Sequence, residues 1–400
     1  MRLVHLSDLH LGYRQYQRLT PGGLNQREAD VARAMQRAVD TTIAVAPDIV
    51  VMAGDIFHTV RPTNPAILFA FQQFARLARA LPQAVIVIVA GNHDTPRAVE
   101  TGGILRLFAP LGIHVVDQRP ERLSFPDRDL AILAVPDVGP GAHYPVLAPD
   151  PAFRTNVLVL HGEVEGMLPA AAMVADRATT AVTPDELGAE RWSYVALGHY
   201  HVYRQVAPNA YYSGAIDYTS SNVWGELAEE RQGGIPGKGL IVHDLATGAH
   251  RFHAIEAPRA FVDLPAISAR GLTAADLDAR IRETVEGYRG GIDDKVVRLV
   301  VRDLPRHVTR ELDHRALREY KRRALHFNLD VRRPEVLRLH GQAAPGRRPS
   351  LADIVRDKLQ GRLLEGNIDR EALVGLGLRY LAEAETVSVV TAVPDGDGEG

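Results

Sequence analysis

Apolar runs rich in Val, Ile and Leu recur along the chain at 3–6, 49–53, 85–90, 130–135, 157–160 and 194–197. They lack polar alternation, which predicts strands buried on both faces. Between the early runs, 26–45 ("QREADVARAMQRAVDTTIAV") and 64–81 ("NPAILFAFQQFARLARAL") carry apolar positions at helical spacing. Strand, helix and strand in alternation predict an α/β layered domain over about residues 1–255. No internal repeat is present.

After residue 255 the pattern changes to "TAADLDARIRETVEGY", "KVVRLVVRDL" and "HRALREYKRRA", which predicts a small separate α/β unit over 256–340. The Pro, Gly and Arg-rich stretch 341–350 reads as a linker. Beyond it Leu351, Ile354, Val355 and Leu359, then Leu373, Leu376 and Tyr380, fall at helical spacing on either side of "EGN". They predict a helical hairpin over 351–385, followed by a disordered acidic tail over 386–400. A hairpin with two apolar stripes and no core of its own must dock on its own chain or on a partner.

Composition narrows the class. The chain is 46% hydrophobic and 24% charged, ordinary for a globular protein of 400 residues. Its longest purely apolar run, "AVIVIVA" at 84–90, is far below the ~20 residues of a membrane span, so no membrane partner is expected. An acid at position 8 comes too early for a signal peptide, and the absence of cysteine excludes disulfides and zinc-thiolate sites. A cytoplasmic location is the expectation. The net charge of -3 hides a basic segment: residues 301–350 hold 13 Arg and Lys against six acids, and 351–400 hold five against ten.

Five apolar runs end in side chains able to bind metal: "LVHLSDLH", "IVVMAGDIFH", "VIVIVAGNHD", "VLVLHG" and "YVALGHYH". Sites in α/β sheets form where strands finish at their carboxyl ends, so Asp8, His10, Asp55, Asn92, His161, His199 and His201 are expected to meet. Asp8 and His10, like His199 and His201, are spaced by two, and in extended chain each pair points to one side. Carboxylate, imidazole and one amide without thiolate suit Mn, Fe or Zn better than Mg or Ca. Seven donors are too many for one zinc and suit two ions sharing a carboxylate. His5, His114, His143 and His243 lack such company and read as structural.

These motifs, D-x-H, G-D, G-N-H-D, H-G and G-H-x-H, resemble those of the calcineurin-like metallophosphoesterases. Within that superfamily "HLSDLHLGYRQY", "GDIFHTVRPTNPAIL" and "GNHDTPR" are similar to SbcD-type nuclease subunits, the meiotic-recombination-eleven group. The resemblance covers about residues 1–218 and implies a two-sheet sandwich flanked by helices, a second domain capping the cleft, and two divalent ions, usually manganese. It assigns Asp8, His10, Asp55 and His201 to one ion and Asp55, Asn92, His161 and His199 to the other, with Asp55 bridging. Residue types alone do not separate Mn from Fe or Zn. Stretch 218–239 departs from the pattern, being longer than the expected link.

The implied chemistry is phosphodiester hydrolysis. Two such ions attract the phosphodiester and lower the pKa of a water towards ~7. His93 is then placed to protonate the departing sugar oxygen, Asp94 to orient its imidazole, and His58 matches a second active-site histidine of the group. DNA with ends is the expected substrate, attacked as an exonuclease and in some contexts an endonuclease. Tyr13, Arg14, Tyr16, Arg18 and Arg61, with Lys321, Arg322 and Arg323 of the capping unit, are candidate DNA contacts. Expected partners are an SbcC-like coiled-coil ATPase gripping the hairpin and a second copy of the chain, for which Ile67, Leu68, Phe71 and Phe74 are candidate contacts. Two other readings stand beside this one: a stand-alone phosphoesterase for a nucleotide or small phosphodiester, and a non-catalytic DNA-tethering scaffold.

Overall fold

The computed structural model describes residues 1–95, 103–137, 146–168, 180–334, 350–361 and 369–390. Met1–Pro334 forms one compact unit and Glu335–Gly400 a second.

The first unit is built on two six-stranded sheets. One runs in the order β14 (His250–Ala254), β13 (Gly239–Asp244), β1 (Arg2–Leu6), β2 (Ile49–Ala53), β3 (Val85–Val89) and β4 (His114–Val116). The other runs β11 (Arg204–Ala207), β12 (Ala210–Tyr212), β10 (Tyr194–Gly198), β7 (Thr155–His161), β6 (Leu130–Val135) and β5 (Glu121–Phe125). A two-stranded pair, β8 (Glu163–Val164) and β9 (Ala181–Val182), follows β7, with α3 (Pro184–Leu187) beside it. The strands that carry the site, β1, β2 and β3 in one sheet and β7 and β10 in the other, pair in parallel within each sheet.

The period of two explains why these strands read as unbroken apolar runs. In β2, Ile49, Val51 and Ala53 face the second sheet and pack with Ile132, Val157, Val159, Tyr194 and Ala196. Val50 and Met52 face the other way, against Val31, Met35, Phe74 and Leu77 of α1 (Gln26–Val45) and α2 (Asn64–Ala80). Both faces are covered, so both must be apolar. The α/β layering is what the alternation of strands and helices predicts, and the sandwich flanked by helices is what the family resemblance implies.

Helix α4 (Val223–Gly233) lies within the unfamiliar stretch 218–239 and leads into β13. The last part of this unit is a parallel three-stranded sheet, β15 (Phe261–Ser268), β16 (Val296–Arg302) and β17 (His326–Val331). With α5 (Ala274–Glu286), α6 (Arg306–Glu311) and α7 (His314–Arg323) it encloses its own core of Leu264, Leu277, Ile281, Leu299, Val301 and Phe327. It is tied back to α1 by Arg259, whose Nε lies 2.7 Å from Asp30 Oδ2.

In the second unit α8 (Leu351–Gln360) and α9 (Arg370–Val390) pack against each other. Leu351, Ile354, Leu376 and Tyr380 stay exposed. Helix α9 continues past residue 386, where the acidic tail was expected to begin. The linker at 341–349, the "EGN" break and residues 391–400 lie outside the described residues. In α2, Phe74 is a core residue, whereas Leu68 and Phe71 are exposed and Ile67 packs partly against the core.

Candidate metal centre

Each strand carrying the site stops one to three residues before its first candidate ligand or on it. Asp8, His10, Asp55 and His199 adopt φ values of 53°, 46°, 52° and 99°. A left-handed conformation costs a residue with a side chain roughly 1 kcal/mol or more and persists where the surrounding fold imposes it. Asp8 with His10, and His199 with His201, therefore do not lie in extended chain as their i, i+2 spacing predicts. Strand β1 ends at Leu6 and β10 at Gly198, so left-handed backbone aims Asp8, His10 and His199. The loops hold one another: Asp8 and His10 donate from their backbone nitrogens to the carbonyls of Gly54 and Asp55, at 3.0 and 2.9 Å.

Two glycines make the approach possible. Gly54 has φ 93° and a Cβ there would overlap the His161 ring; a Cβ on Gly198 would overlap the Ala53 carbonyl.

The expected donors converge. His10 Nε2 lies 3.0 Å from His201 Nε2, and His161 Nε2 lies 3.0 Å from Asn92 Oδ1. Asp55 Oδ2 stands between them, 3.7 Å from His10 Nε2 and 3.5 Å from His161 Nε2. Donor atoms of Asp8, His10 and His201 lie within 4.8 Å of one another, as do those of Asp8, Asp55 and His161. His199 approaches differently: its ring meets that of His161 edge-on at 5.5 Å, and its backbone nitrogen donates to Asp8 Oδ1 at 3.0 Å.

The residues fit a divalent cation pair. Two donors ~2.1 Å from one ion and at right angles lie ~3.0 Å apart, the separation seen in both nitrogen-bearing pairs. His161 Nδ1 is 2.8 Å from the Ala53 carbonyl, which can only accept, so the proton sits on Nδ1 and the Nε2 lone pair faces the site. Burial pushes the Asp55 carboxyl up, although His161 and His93 oppose this. Burial lowers His10 well below the ordinary histidine value, and its imidazole neighbours lower it further. Burial also lowers His199, to about 4. His10 and His199, so kept neutral, are in the form that binds metal, whereas against burial Asp55 and Asp8 raise His161 and Glu226 raises His201.

Beside the donors, the His93 ring lies 4.9 Å from that of His10 and stacks on His58 at 5.2 Å. His58 Nδ1 is 3.4 Å from His10 Nδ1. Sequence reasoning gives Asp94 the task of orienting His93. Its carboxylate instead accepts from the backbone nitrogens of Ile56, Phe57 and Gly91, while His93 Nδ1 meets the His58 carbonyl at 2.7 Å. Burial, reinforced by Asp55, pushes Asp94 up to about 7. His10, Asp55, His199 and His201 open onto a cavity of about 460 Å³ that His58, His93, Tyr200 and Glu226 also line.

The candidate DNA contacts fall in two main places: Tyr13 and Arg14 line the metal-centre cavity, and Tyr16, Arg18, Lys321 and Arg322 line a second one. Tyr13 is a core residue whose hydroxyl donates to Gln15, and Arg14 is paired with Glu28 at 2.6 Å. Tyr16 stacks on His326 at 4.1 Å. Arg18 donates to the carbonyls of Arg322 and Ala324, closing the end of α7. Arg322 is paired with Glu319, and Arg323 with Glu286 and Asp293. Arg61 and Lys321 are exposed. A second, shallower cavity lies here, lined by Tyr16, Arg18, Lys321, Arg322 and His326.

Two acids at the site escape the sequence reasoning. Asp137, fully buried, follows β6 as the other site residues follow their strands, and "AVPD" was the available signal. Glu226 lies on α4, where Lys238 Nζ donates to it at 2.6 Å and its Oε1 stands 3.4 Å from His201 Nδ1. Burial alone would push Glu226 up; Lys238 and His201 more than offset this and hold it at about 2.

Residues 1–233 match the calcineurin-like phosphoesterase family. The chain is also similar to archaeal proteins named DNA double-strand break repair protein Mre11. Identity is 37% over 97 residues with that of Methanocaldococcus jannaschii, covering 24% of each protein. With that of Sulfurisphaera tokodaii it is 29% over 217 residues, covering 51% of this chain and 49% of the relative. With that of Thermoplasma acidophilum it is 26% over 318 residues, covering 75% and 73%. The first of these alignments thus spans about a quarter of the relative's length.

Proposed function

The chain belongs to the calcineurin-like phosphoesterase family, and from that premise we propose that it is a metal-dependent DNA nuclease, the hydrolytic subunit of a double-strand-break repair complex. The observation that carries this is the gathering of Asp8, His10, Asp55, Asn92, His161, His199 and His201 from five strand ends, with His93 beside them, in a chain similar over three quarters of its length to a repair protein.

Asp8, His10, Asp55 and His201 would hold one cation and Asp55, Asn92, His161 and His199 the other, with manganese the metal proposed. Two divalent cations, when bound, would supply the charge that draws in a phosphodiester and lower the pKa of a water towards ~7. The protein's own groups do the rest. The His58 carbonyl keeps the proton of His93 on Nδ1, so Nε2 is the atom that exchanges a proton with the leaving sugar oxygen. Asp94 ties the turn after β2 to the turn after β3 and keeps His93 in register with Asp55. Asp55 reinforces this by accepting from the His93 backbone nitrogen at 3.0 Å.

Among the described residues no helix is long and apolar enough to cross a membrane. The exposed stripes of α8 and α9 support docking of an SbcC-like ATPase on the hairpin. Exposed Leu68 and Phe71 support a homodimer contact through α2. Tyr13, Arg14, Tyr16, Arg61, Lys321, Arg322 and Arg323 are the proposed DNA contacts, with Tyr13 and Arg14 lining the cavity of the metal centre.

The test is digestion of end-labelled linear duplex with manganese, magnesium or chelator present. Manganese-dependent shortening of the label supports the proposal. Hydrolysis of a small chromogenic diester that DNA ends do not inhibit would favour a stand-alone phosphoesterase instead.

A further inference from the structure

Imidazoles that hold metal present one nitrogen to the ion and need an acceptor for the proton on the other. His161 has such an acceptor in the Ala53 carbonyl. His201 has no backbone acceptor: its buried Nδ1 makes no hydrogen bond of good geometry among the described residues. The charged group that approaches it is the Glu226 carboxylate, at 3.4 Å.

Glu226 is held in place for that approach. Its other oxygen accepts from Lys238 Nζ at 2.6 Å, and the same ammonium donates to the His201 carbonyl at 2.8 Å and pairs with Glu230 Oε1 at 3.0 Å. Glu230 sits one turn after Glu226 on the same face of α4 and accepts from the Tyr218 hydroxyl at 2.7 Å. All three charged side chains are nearly fully buried. Burying an ammonium with two carboxylates is costly, and a packed apolar cluster would serve the fold at least as well. The helix is anchored on its other side too, where Trp224 lies under the Arg298 guanidinium at 4.7 Å.

We propose that Glu226 is a positioning residue for the metal centre: its carboxylate, fixed by Lys238, draws the proton of His201 to Nδ1 and leaves Nε2 bare towards His10 and the cation. This rests on the metal centre proposed above. The stretch that departs from the family pattern thus supplies a partner for one of the candidate ligands.

The experiment is calorimetric titration of manganese into the chelator-stripped full chain, paired with long-range proton–nitrogen spectra of histidine-labelled protein. Wild type is expected to show His201 protonated on Nδ1. Glu226→Gln, close in size to the native residue, is expected to weaken one of two manganese sites ~10–100-fold and leave the other unchanged. Glu226→Asp should recover part of that loss, and Trp224→Phe, which alters the far side of α4, should leave both affinities as they were. Wild-type affinities at both sites in Glu226→Gln, or His201 protonated on Nε2 in the wild type, would overturn the role of Glu226. A wild-type chain that takes up no manganese is a different result, which sinks the metal centre itself and this role with it.

Discussion

His93 Nδ1 lies 2.7 Å from the carbonyl oxygen of His58, so the loop after β2 sets the tautomer of an imidazole on the loop after β3. A carbonyl can only accept, and the ring nitrogen left facing the cavity is Nε2. If Nε2 exchanges the proton of the leaving group, His93→Ala should leave manganese affinity nearly unchanged and cut turnover by roughly two to four orders of magnitude. Single-turnover cleavage at saturating manganese checks this; unchanged rates would remove His93 from the chemistry.

Asp55 is the carboxylate within reach of donors on both sides of the site. Manganese at about 100 times its dissociation constant should stabilise the wild type by ~2.7 kcal/mol per site, and chelator should reverse it. Asp55→Asn should lose most of that gain. Thermal melts with and without manganese read the difference.

The two sheets meet closely at Gly198, where a methyl group would overlap the Ala53 carbonyl. Gly198→Ala should therefore destabilise the fold by about 1–3 kcal/mol or more and weaken manganese binding, because β2 or β10 must move. Urea denaturation of the metal-free protein gives the first quantity and calorimetry the second. Native values for both would show that the sheets can separate without disturbing the site.

His5, buried between the sheets with Nδ1 3.1 Å from the Tyr194 hydroxyl, is lowered by burial to about 3. The unfolded chain takes up this proton near pH 6.5 and the folded chain does not. Folded stability from this group is therefore complete above pH 6.5 and falls as pH drops towards 3, by at most ~1.4 kcal/mol per pH unit. His5→Phe should remove that slope between pH 6.5 and 4.5. Denaturation of chelated protein across this range tests it, and parallel wild-type and variant curves would contradict the assignment.

Neither helix of the second unit has a fully buried side chain among those described, as expected of a segment that docks on a partner. Chains ending near residue 345, co-expressed with the cognate ATPase, should fail to copurify with it. Undiminished complex formation would place the ATPase contact elsewhere.

Apolar periodicity in the chain fixes the α/β layers and flags the polar strand ends, and the two-sheet sandwich and its chemistry are what the family resemblance of the motifs implies. Strands covered on both faces must be apolar throughout, so an Asp, Asn or His at the end of each run stands out, and five such ends mark the candidate donors. The sequence also marked 218–239 as unusual without saying why. Tertiary structure alone decided how the donors point. Asp8, His10, Asp55 and His199 are aimed by left-handed backbone that no periodicity encodes, since the strain is sustained by contacts between loops distant in sequence. It likewise decided partnerships. Tyr13 went to the core, Arg14 to Glu28, Asp94 to backbone nitrogens, and Glu226 to His201, because a side chain's partner depends on which elements the stacked sheets bring within hydrogen-bonding distance.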